Sequence, residues 1–435
     1  MRVAFHTLGC KLNSTETAAI QRQFLADGHD VVEYGADADL LVVNTCTVTE
    51  QADVECRKVV RKGLRGAPNA RVIVTGCYAQ LQPEEVASID GVTAVVGTAD
   101  KLRIVERLPE LIENNRVTFL VEELSGSTTF IGARSGSGNT RTRAFLKIQD
   151  GCDYSCSFCT IPLARGPARA MPMESIKREL QAIAIDGYEE CILTGINLGE
   201  YSSAEGKRFV DVLSMIADMG LSYRVRIGSI EPNTLNDDVL CVWRDSTVFV
   251  PHLHMPLQSG SDDILRSMKR RYNTRMYRDR IEKFHACFPD ASVGIDVIAG
   301  YPGESDAHFT ETVEFLSSLP WTYLHVFTYS EREHTPAATL MGSVPMHVRR
   351  ERTRALREIS EQRTQEFHRS QIGTVRTFLP ESFDPESGYW SGWTENHVAG
   401  VMRAPFSNPK IRYKVRMVDV RFDKVLVQHI DGNEE

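Results

Sequence analysis

The stretch Gly151-Cys152-Asp153-Tyr154-Ser155-Cys156-Ser157-Phe158-Cys159 sets three cysteines in the spacing CxxxCxxC, directly after the apolar run Phe145-Leu146-Lys147-Ile148. Thiolates are soft ligands suited to iron and zinc, and a cubane cluster usually takes four of them, one per iron. Three in one loop leave one iron open to a small molecule. A structural zinc site is the competing reading, but such sites are closed by four protein ligands in paired spacing. No fourth Cys or His stands near these three.

Downstream of this loop, apolar runs alternate with helical segments, and Phe145–Ile148, Cys191–Thr194, Val225–Ser229, His252–Leu257, Val293–Ile298 and Tyr323–Phe327 read as strands. Six βα units predict a parallel sheet curled into part of a barrel, a partial (β/α)6 arrangement whose chemistry sits at the C-terminal strand ends. The segment Met173–Asp186 reads as a helix capped by Gly187. A long charged helix follows Pro345, roughly Val348 to Arg369. Beyond Ile372 come short β-like segments broken by Gly388, Gly392, Gly400 and Asn408-Pro409, the pattern of a small all-β barrel.

Upstream, from Met1 to about Arg107, the runs Arg2–Phe5, Leu40–Val43 and Arg71–Val74 alternate with helical segments, as in a parallel α/β sheet. Residues 122–142, EELSGSTTFIGARSGSGNTRT, are rich in Ser, Gly and Thr and lack periodicity, so they read as a linker. The expected organisation is α/β throughout the first two parts: an N-terminal domain over 1–115, a linker over 116–142, a core over 143–370 and an all-β barrel over 371–435.

The chain has 435 residues, 42% hydrophobic and 25% charged, an ordinary composition for several packed domains. The first residues turn polar too soon for a signal peptide, and no apolar run approaches the roughly 20 residues of a membrane span. A cytoplasmic location is therefore expected. In that reducing compartment ten cysteines point to metal or cluster ligation and to burial rather than to disulfides. A net charge of −8 supplies no global attraction to nucleic acid, so any RNA contact must come from local basic patches.

The cysteine loop, with Phe158 before its third cysteine and a partial βα barrel behind it, resembles the radical S-adenosylmethionine superfamily. The resemblance implies that the open iron binds S-adenosylmethionine, which is cleaved by one electron to a 5′-deoxyadenosyl radical. Leu193-Thr194-Gly195-Ile196-Asn197 is similar to the superfamily's segment that meets the cofactor's amino group. Ile298-Ala299-Gly300-Tyr301-Pro302-Gly303-Glu304 is similar to the one that packs on the adenine. By this resemblance the cofactor contacts are Thr194, Gly195, Asn197, Ser229, Glu231, Gln258, Asp296, Gly300 and Gly303.

Three further cysteines each end a predicted strand: Cys10 in Thr7-Leu8-Gly9-Cys10, Cys46 in Asn44-Thr45-Cys46 and Cys77 in Thr75-Gly76-Cys77. The C-terminal strand ends of an open parallel sheet share one edge, so cysteines about 30 to 36 residues apart converge there. They form a candidate second cluster, again with one open iron; three unrelated buried cysteines are the alternative. Cys56, Cys191, Cys241 and Cys287 read as packing residues. The order of three-cysteine α/β domain, radical core and small barrel resembles the methylthiotransferases over nearly the whole chain. That resemblance implies two [4Fe-4S] clusters, two molecules of S-adenosylmethionine, a barrel of TRAM type and no catalytic Ser, His or carboxylate dyad. The protein's task is then positioning and exclusion of water around cofactor chemistry.

Thr7-Leu8-Gly9-Cys10-Lys11-Leu12-Asn13, Asn44-Thr45-Cys46-Thr47-Val48-Thr49, the run Ile161–Arg169 and His325–Ser330 resemble the MtaB-type branch. That branch converts N6-threonylcarbamoyladenosine at transfer RNA position 37 to its 2-methylthio form. Glu333-His334 and His397 depart from the branch's usual Pro-Gly and Tyr. Branches acting on isopentenyladenosine or on a ribosomal-protein aspartate remain alternatives, as does a non-catalytic iron–sulfur RNA-binding protein. The implied partners are transfer RNA and an electron donor such as flavodoxin or ferredoxin. Expected RNA contacts are Arg403, Lys410, Arg412, Tyr413, Lys414 and Arg416 in the basic C-terminal strand, with Phe406 and Phe422 as further stacking candidates. Arg165 and Arg169 beyond the cysteine loop are expected to meet a phosphate or the threonyl carboxylate. The cation-rich run Arg266–Arg278 is a second candidate, either for RNA or for bracing the cofactor side.

Overall fold

Strands buried at every position, such as Leu40–Thr45, form only where a sheet is covered on both faces. The computed structural model describes residues 1–46, 50–113, 116–124, 130, 132–135, 142–403, 411–421 and 423–430. In its N-terminal sheet six parallel strands run in the spatial order Asp30–Val32, Arg2–Thr7, Leu40–Thr45, Arg71–Gly76, Ala94–Val96 and Thr118–Leu120. Successive residues feed opposite cores. Leu41, Val43, Val72 and Val74 pack with Val59 and Val60 of the helix Glu50–Gly66. Leu40, Val42 and Ile73 pack with Ile20 and Phe24 of the helix Lys11–Ala26.

The second unit holds parallel strands Arg143–Lys147, Glu190–Thr194 and Arg224–Ile227, and parallel strands His252–His254, Ser292–Ala299 and Tyr323–Thr328. Single parallel bridges Val225–Phe249 and Ser229–His254 join the two sets. The result is an open, six-stranded barrel wall around one large core. The helix Met346–Ser370 lies along the last strand, where Ser360 Oγ accepts from the Leu324 backbone N–H at 2.8 Å. Strands Val375–Asp384, Tyr389–Thr394, Ala399–Arg403, Lys424–His429 and Tyr413–Arg421 then close a five-stranded barrel that fits a TRAM domain.

The segment expected to be a linker is partly built into both neighbours. Thr118–Leu120 completes the N-terminal sheet, and Ala133–Arg134 pairs antiparallel with Arg143–Lys147. Ser and Gly around Ala133–Arg134 hid that two-residue strand, whereas Thr118–Leu120, before the Ser- and Gly-rich stretch, is only three residues long. No helix among the described residues is long and apolar enough to cross a membrane.

Candidate active site

The first triplet sits on the loop leaving the strand Arg143–Lys147. Cys156 is buried, and Cys152 and Cys159 are half-buried. The backbone N–H of Tyr154 donates to Cys152 Sγ at 3.4 Å and that of Ile161 to Cys159 Sγ at 3.4 Å. A guanidinium N–H of Arg270 reaches Cys156 Sγ at 3.0 Å. Arg270 is itself held by Glu231 and lies 4.9 Å from the Tyr272 ring centroid. Burial raises all three thiols, Cys159 to about 12. Protonated here, they deprotonate on ligating a metal, and each sulfur already has an N–H donor for its negative charge. This donor set fits an anionic thiolate cluster.

The loop is clamped. Ser157 Oγ and Tyr301 Oη are 2.8 Å apart, the Ser157 N–H donates to the Met268 carbonyl at 3.1 Å, and the Ala337 N–H to the Ser157 carbonyl at 2.8 Å. The clamping roles of Tyr301 and Ser157 were not read from the sequence, while Arg270 takes the cofactor-side bracing that the run Arg266–Arg278 was one candidate for.

Around the loop, Thr194, Gly195 and Asn197 follow the second strand. Gln149 Oε1 accepts from the Ile196 and Asn197 N–H groups at 2.9 and 2.8 Å, and a side chain at Gly195 would meet Gln149 at 3.0 Å. Thr194 Oγ1 and Asn197 Oδ1 are buried without a partner, the kind of orphaned polar atom that a ligand answers. Ser229 and Glu231 follow the third strand. Asp296, on the fifth, accepts from His254 Nε2 at 3.0 Å and His325 Nδ1 at 3.1 Å. Burial alone would raise the Asp296 carboxyl, but the two imidazoles hold it well below its usual range. Gln258, at φ 68°, lines a cleft of about 180 Å3 with Phe158, Cys159, Ile298 and Tyr329. Gly303 faces open space. Gly300, in contrast, is pressed against Arg349, whose Cγ would lie 2.3 Å from an added Cβ, so it seats the long helix.

The second triplet lies at the C-terminal ends of three adjacent strands, Arg2–Thr7, Leu40–Thr45 and Arg71–Gly76. Two glycines with positive φ draw these ends together. A Cβ on Gly9 would fall 2.4 Å from Cys46 Cβ and 2.8 Å from its sulfur; one on Gly76 would fall 2.3 Å from the Thr45 carbonyl oxygen. Only glycine permits both approaches. Asn13 pins the same turn, donating to the Leu8 and Thr45 carbonyls at 3.0 and 2.9 Å. Burial raises the Cys77 thiol, Arg165 and Lys101 oppose that, and Cys10 is close enough to add to it.

Between the triplets lies a buried ionic network. Glu16 accepts from Lys101 Nζ at 2.7 Å, Lys147 Nζ at 3.1 Å and Arg165 at 3.0 Å. Asp150 takes Arg165 at 2.9 Å and Lys147 at 3.1 Å. Arg165 also donates to Asn13 Oδ1 at 2.8 Å and is only 1% exposed. This corrects the expectation that Arg165 meets an RNA phosphate or the threonyl carboxylate: its guanidinium is consumed in holding the N-terminal helix to the core. Arg169 is largely drawn into the same network, 3.5 Å from Asp150.

In the C-terminal barrel, Arg403, Lys414 and Arg416 are exposed. Tyr413 is buried among Phe378, Val415 and Val427, which corrects its expected role as a stacking surface. Strand alternation puts it inside whenever Lys414 and Arg416 are outside. Arg412 is committed to Glu189 at 2.6 Å and the Ser222 carbonyl at 2.7 Å, fastening barrel to core rather than reaching outward. Lys410, Phe406 and Phe422 lie outside the described residues, as do Thr47, Val48 and Thr49. Of the Arg266–Arg278 run, Arg270 braces the cysteine loop and Arg271 covers the Tyr154 ring at 3.9 Å.

Comparison with known proteins agrees with this architecture. The model of "Uncharacterized protein family UPF0004" matches residues 2–97 and that of the radical SAM superfamily residues 146–316. Threonylcarbamoyladenosine tRNA methylthiotransferase MtaB of Bacillus subtilis is 37% identical over 407 residues, 92% of this chain and 90% of that one. Its counterpart from Aquifex aeolicus is 35% identical over 373 residues, covering 86% of this chain and 91% of that one. Among solved structures, the radical S-adenosylmethionine methyltransferase TsrM of Kitasatospora setae superposes with a TM-score of 0.59 at 14% identity, covering 78% of this chain and 77% of its own, a likeness of fold. With relatives of 35 to 37% identity matched over about nine-tenths of their length, the chain belongs to the radical S-adenosylmethionine methylthiotransferase family.

Proposed function

We propose that this protein adds a methylthio group to C2 of N6-threonylcarbamoyladenosine at position 37 of transfer RNA. In this reading it uses two [4Fe-4S] clusters and two molecules of S-adenosylmethionine, works in the cytoplasm, and takes electrons from a flavodoxin- or ferredoxin-type donor. The carrying observation is the Glu16–Arg165 network, which ties the helix that follows Cys10 to the segment that follows Cys159, in a chain whose relatives bear that transferase's name over about nine-tenths of their length.

Membership in the family implies S-adenosylmethionine and a [4Fe-4S] cluster, which Cys152, Cys156 and Cys159 would hold and which supply radical removal of a hydrogen from an unactivated carbon. An aromatic C–H has no acidic proton for a general base, so the protein's own residues act by placement. Arg270 and the Tyr154 and Ile161 N–H groups steady the sulfurs. Gln149 fixes the Ile196-Asn197 backbone beside the loop. Cys10, Cys46 and Cys77 would hold the second cluster, as the source of the transferred sulfur, with Arg165 and Lys101 favouring the Cys77 thiolate. Lys414 and Arg416, on the outer barrel face, are the proposed phosphate contacts.

The test is mass spectrometry of transfer RNA nucleosides from cells with and without this protein. Loss of the 2-methylthio form of threonylcarbamoyladenosine supports the reading; an unchanged profile, or loss of the mark on isopentenyladenosine instead, rejects it.

A further inference from the structure

Lys11 follows directly on Cys10 and begins the helix Lys11–Ala26. Its side chain is exposed, yet its charged neighbours come from the other two domains: Arg143, Arg226 and Glu190 from the core, Glu381 from the barrel. It therefore stands where the three domains meet. The arginines there are answered. Arg143 binds Glu381 at 2.6 and 3.0 Å, and Arg226 binds Glu190 at 2.9 and 3.2 Å. The Lys11 amine has no hydrogen bond or ion pair with any described residue, although the Lys11 carbonyl accepts from Thr15 Oγ1 at 2.9 Å. Nη1 of Arg226, a residue 2% exposed, is likewise buried without a partner. Close by, the rings of His397 and His252 stack at 4.1 Å, and Trp393 lies 4.3 Å from His397.

A domain junction with one surplus cation, one unanswered buried donor and flat aromatic rings beside them suits a planar base that carries an anion. In adenine, C2 and C6 both flank N1. A base that turns C2 toward Cys10 thus presents its N6 substituent along the same edge, beside Lys11. Resting on the function proposed above, we propose that Lys11, backed by Arg226 Nη1, binds the carboxylate of the substrate's N6 substituent. The junction thereby selects an acidic modified adenosine over one with a neutral alkyl group. Lys11 takes the role that Arg165, locked in the interdomain network, does not have.

The experiment uses two anticodon stem-loop RNAs, one with N6-threonylcarbamoyladenosine and one in which its carboxylate is converted to the methylamide. Binding is measured by fluorescence anisotropy to reconstituted wild-type, Lys11→Gln and Lys11→Arg proteins. The wild type should prefer the carboxylate RNA on the order of 10- to 100-fold, the range of one charge-assisted contact. Lys11→Gln should bind both RNAs as the wild type binds the amide, and Lys11→Arg should regain part of the preference. A second measurement needs no variant: in the wild-type protein, the carboxylate RNA but not the amide RNA should protect the Lys11 amine from acetylation, read by peptide mass spectrometry. Equal affinities in the wild type, a preference kept by Lys11→Gln, or equal protection by both RNAs overturns the assignment. If both RNAs are methylthiolated under those results, the function proposed above survives. If neither binds better than an unmodified stem-loop, both fall.

Discussion

Replacing Glu16 by Gln removes one negative charge from a buried set in which it faces three cations, Lys101, Lys147 and Arg165, at 2.7 to 3.1 Å. Glu16 and Asp150 are the two carboxylates there, so Glu16→Gln leaves Asp150 alone against these three and Arg169. Breaking a buried ion pair from one side costs about 3–5 kcal/mol, because the remaining charges stay desolvated and unanswered. Lys147 and Arg165 belong to the core, Glu16 and Lys101 to the N-terminal domain, so much of that loss falls on the docking of the two. At about 1.4 kcal/mol per factor of ten, the docked state should lose at least about a hundredfold in its equilibrium.

Hydrogen exchange reads this directly: amides of Lys11–Ala26 and Ile161–Arg165 should exchange faster in Glu16→Gln, with the C-terminal barrel unaffected. The pH dependence has a definite sign. Burial alone would raise the Glu16 carboxyl, but Arg165, Lys101 and Lys147 hold it well below its ordinary value of 4.5. Folding therefore favours the ionised form, and its contribution is complete above about pH 4.5 and lost as the pH falls below that value. In Glu16→Gln this acid-sensitive component should vanish. Unchanged exchange in both helices at neutral pH would refute the network as the link between the two cysteine sites.

Gly9→Ala should drive the Leu8-Gly9-Cys10 turn off Cys46; iron per chain should fall from about eight to about four, with S-adenosylmethionine cleavage retained. Arg270→Gln removes the cation beside Cys156 and leaves Glu231 unpaired. The core cluster should become harder to reduce and 5′-deoxyadenosine formation should slow by about 10-fold, checked by redox titration and product assay. Lys414→Ala and Arg416→Ala should each weaken stem-loop binding and lower the salt slope by about one, whereas Arg165→Met should leave that slope unchanged.

The six core strands were legible because short segments rich in apolar and β-branched residues recur between helical segments. The first triplet was legible because its three ligands share one loop. The second could be read only by assuming that three strand ends share an edge, and the sheet order Arg2–Thr7, Leu40–Thr45, Arg71–Gly76 supplies that edge. Arg165 was misread because its partner Glu16 is 149 residues away: a basic residue near a cysteine loop looks the same whether it answers a phosphate or a buried carboxylate. Tyr413 was misread for a local reason, since an aromatic among basic residues on a strand points opposite to its neighbours. The cationic run after Arg266 could not be resolved from composition, because Arg270 turns inward to Cys156 while Arg266 pairs with Asp263 at the surface.

The most direct test of the division of labour between the two triplets is an anaerobic assay with reconstituted protein and a threonylcarbamoyladenosine stem-loop. It follows 5′-deoxyadenosine and the modified base in the same reaction. Wild-type protein should form both, and Cys77→Ala should still form 5′-deoxyadenosine but no 2-methylthio base. A 2-methylthio product from Cys77→Ala, or none from wild-type protein that cleaves S-adenosylmethionine on this RNA, would contradict the account.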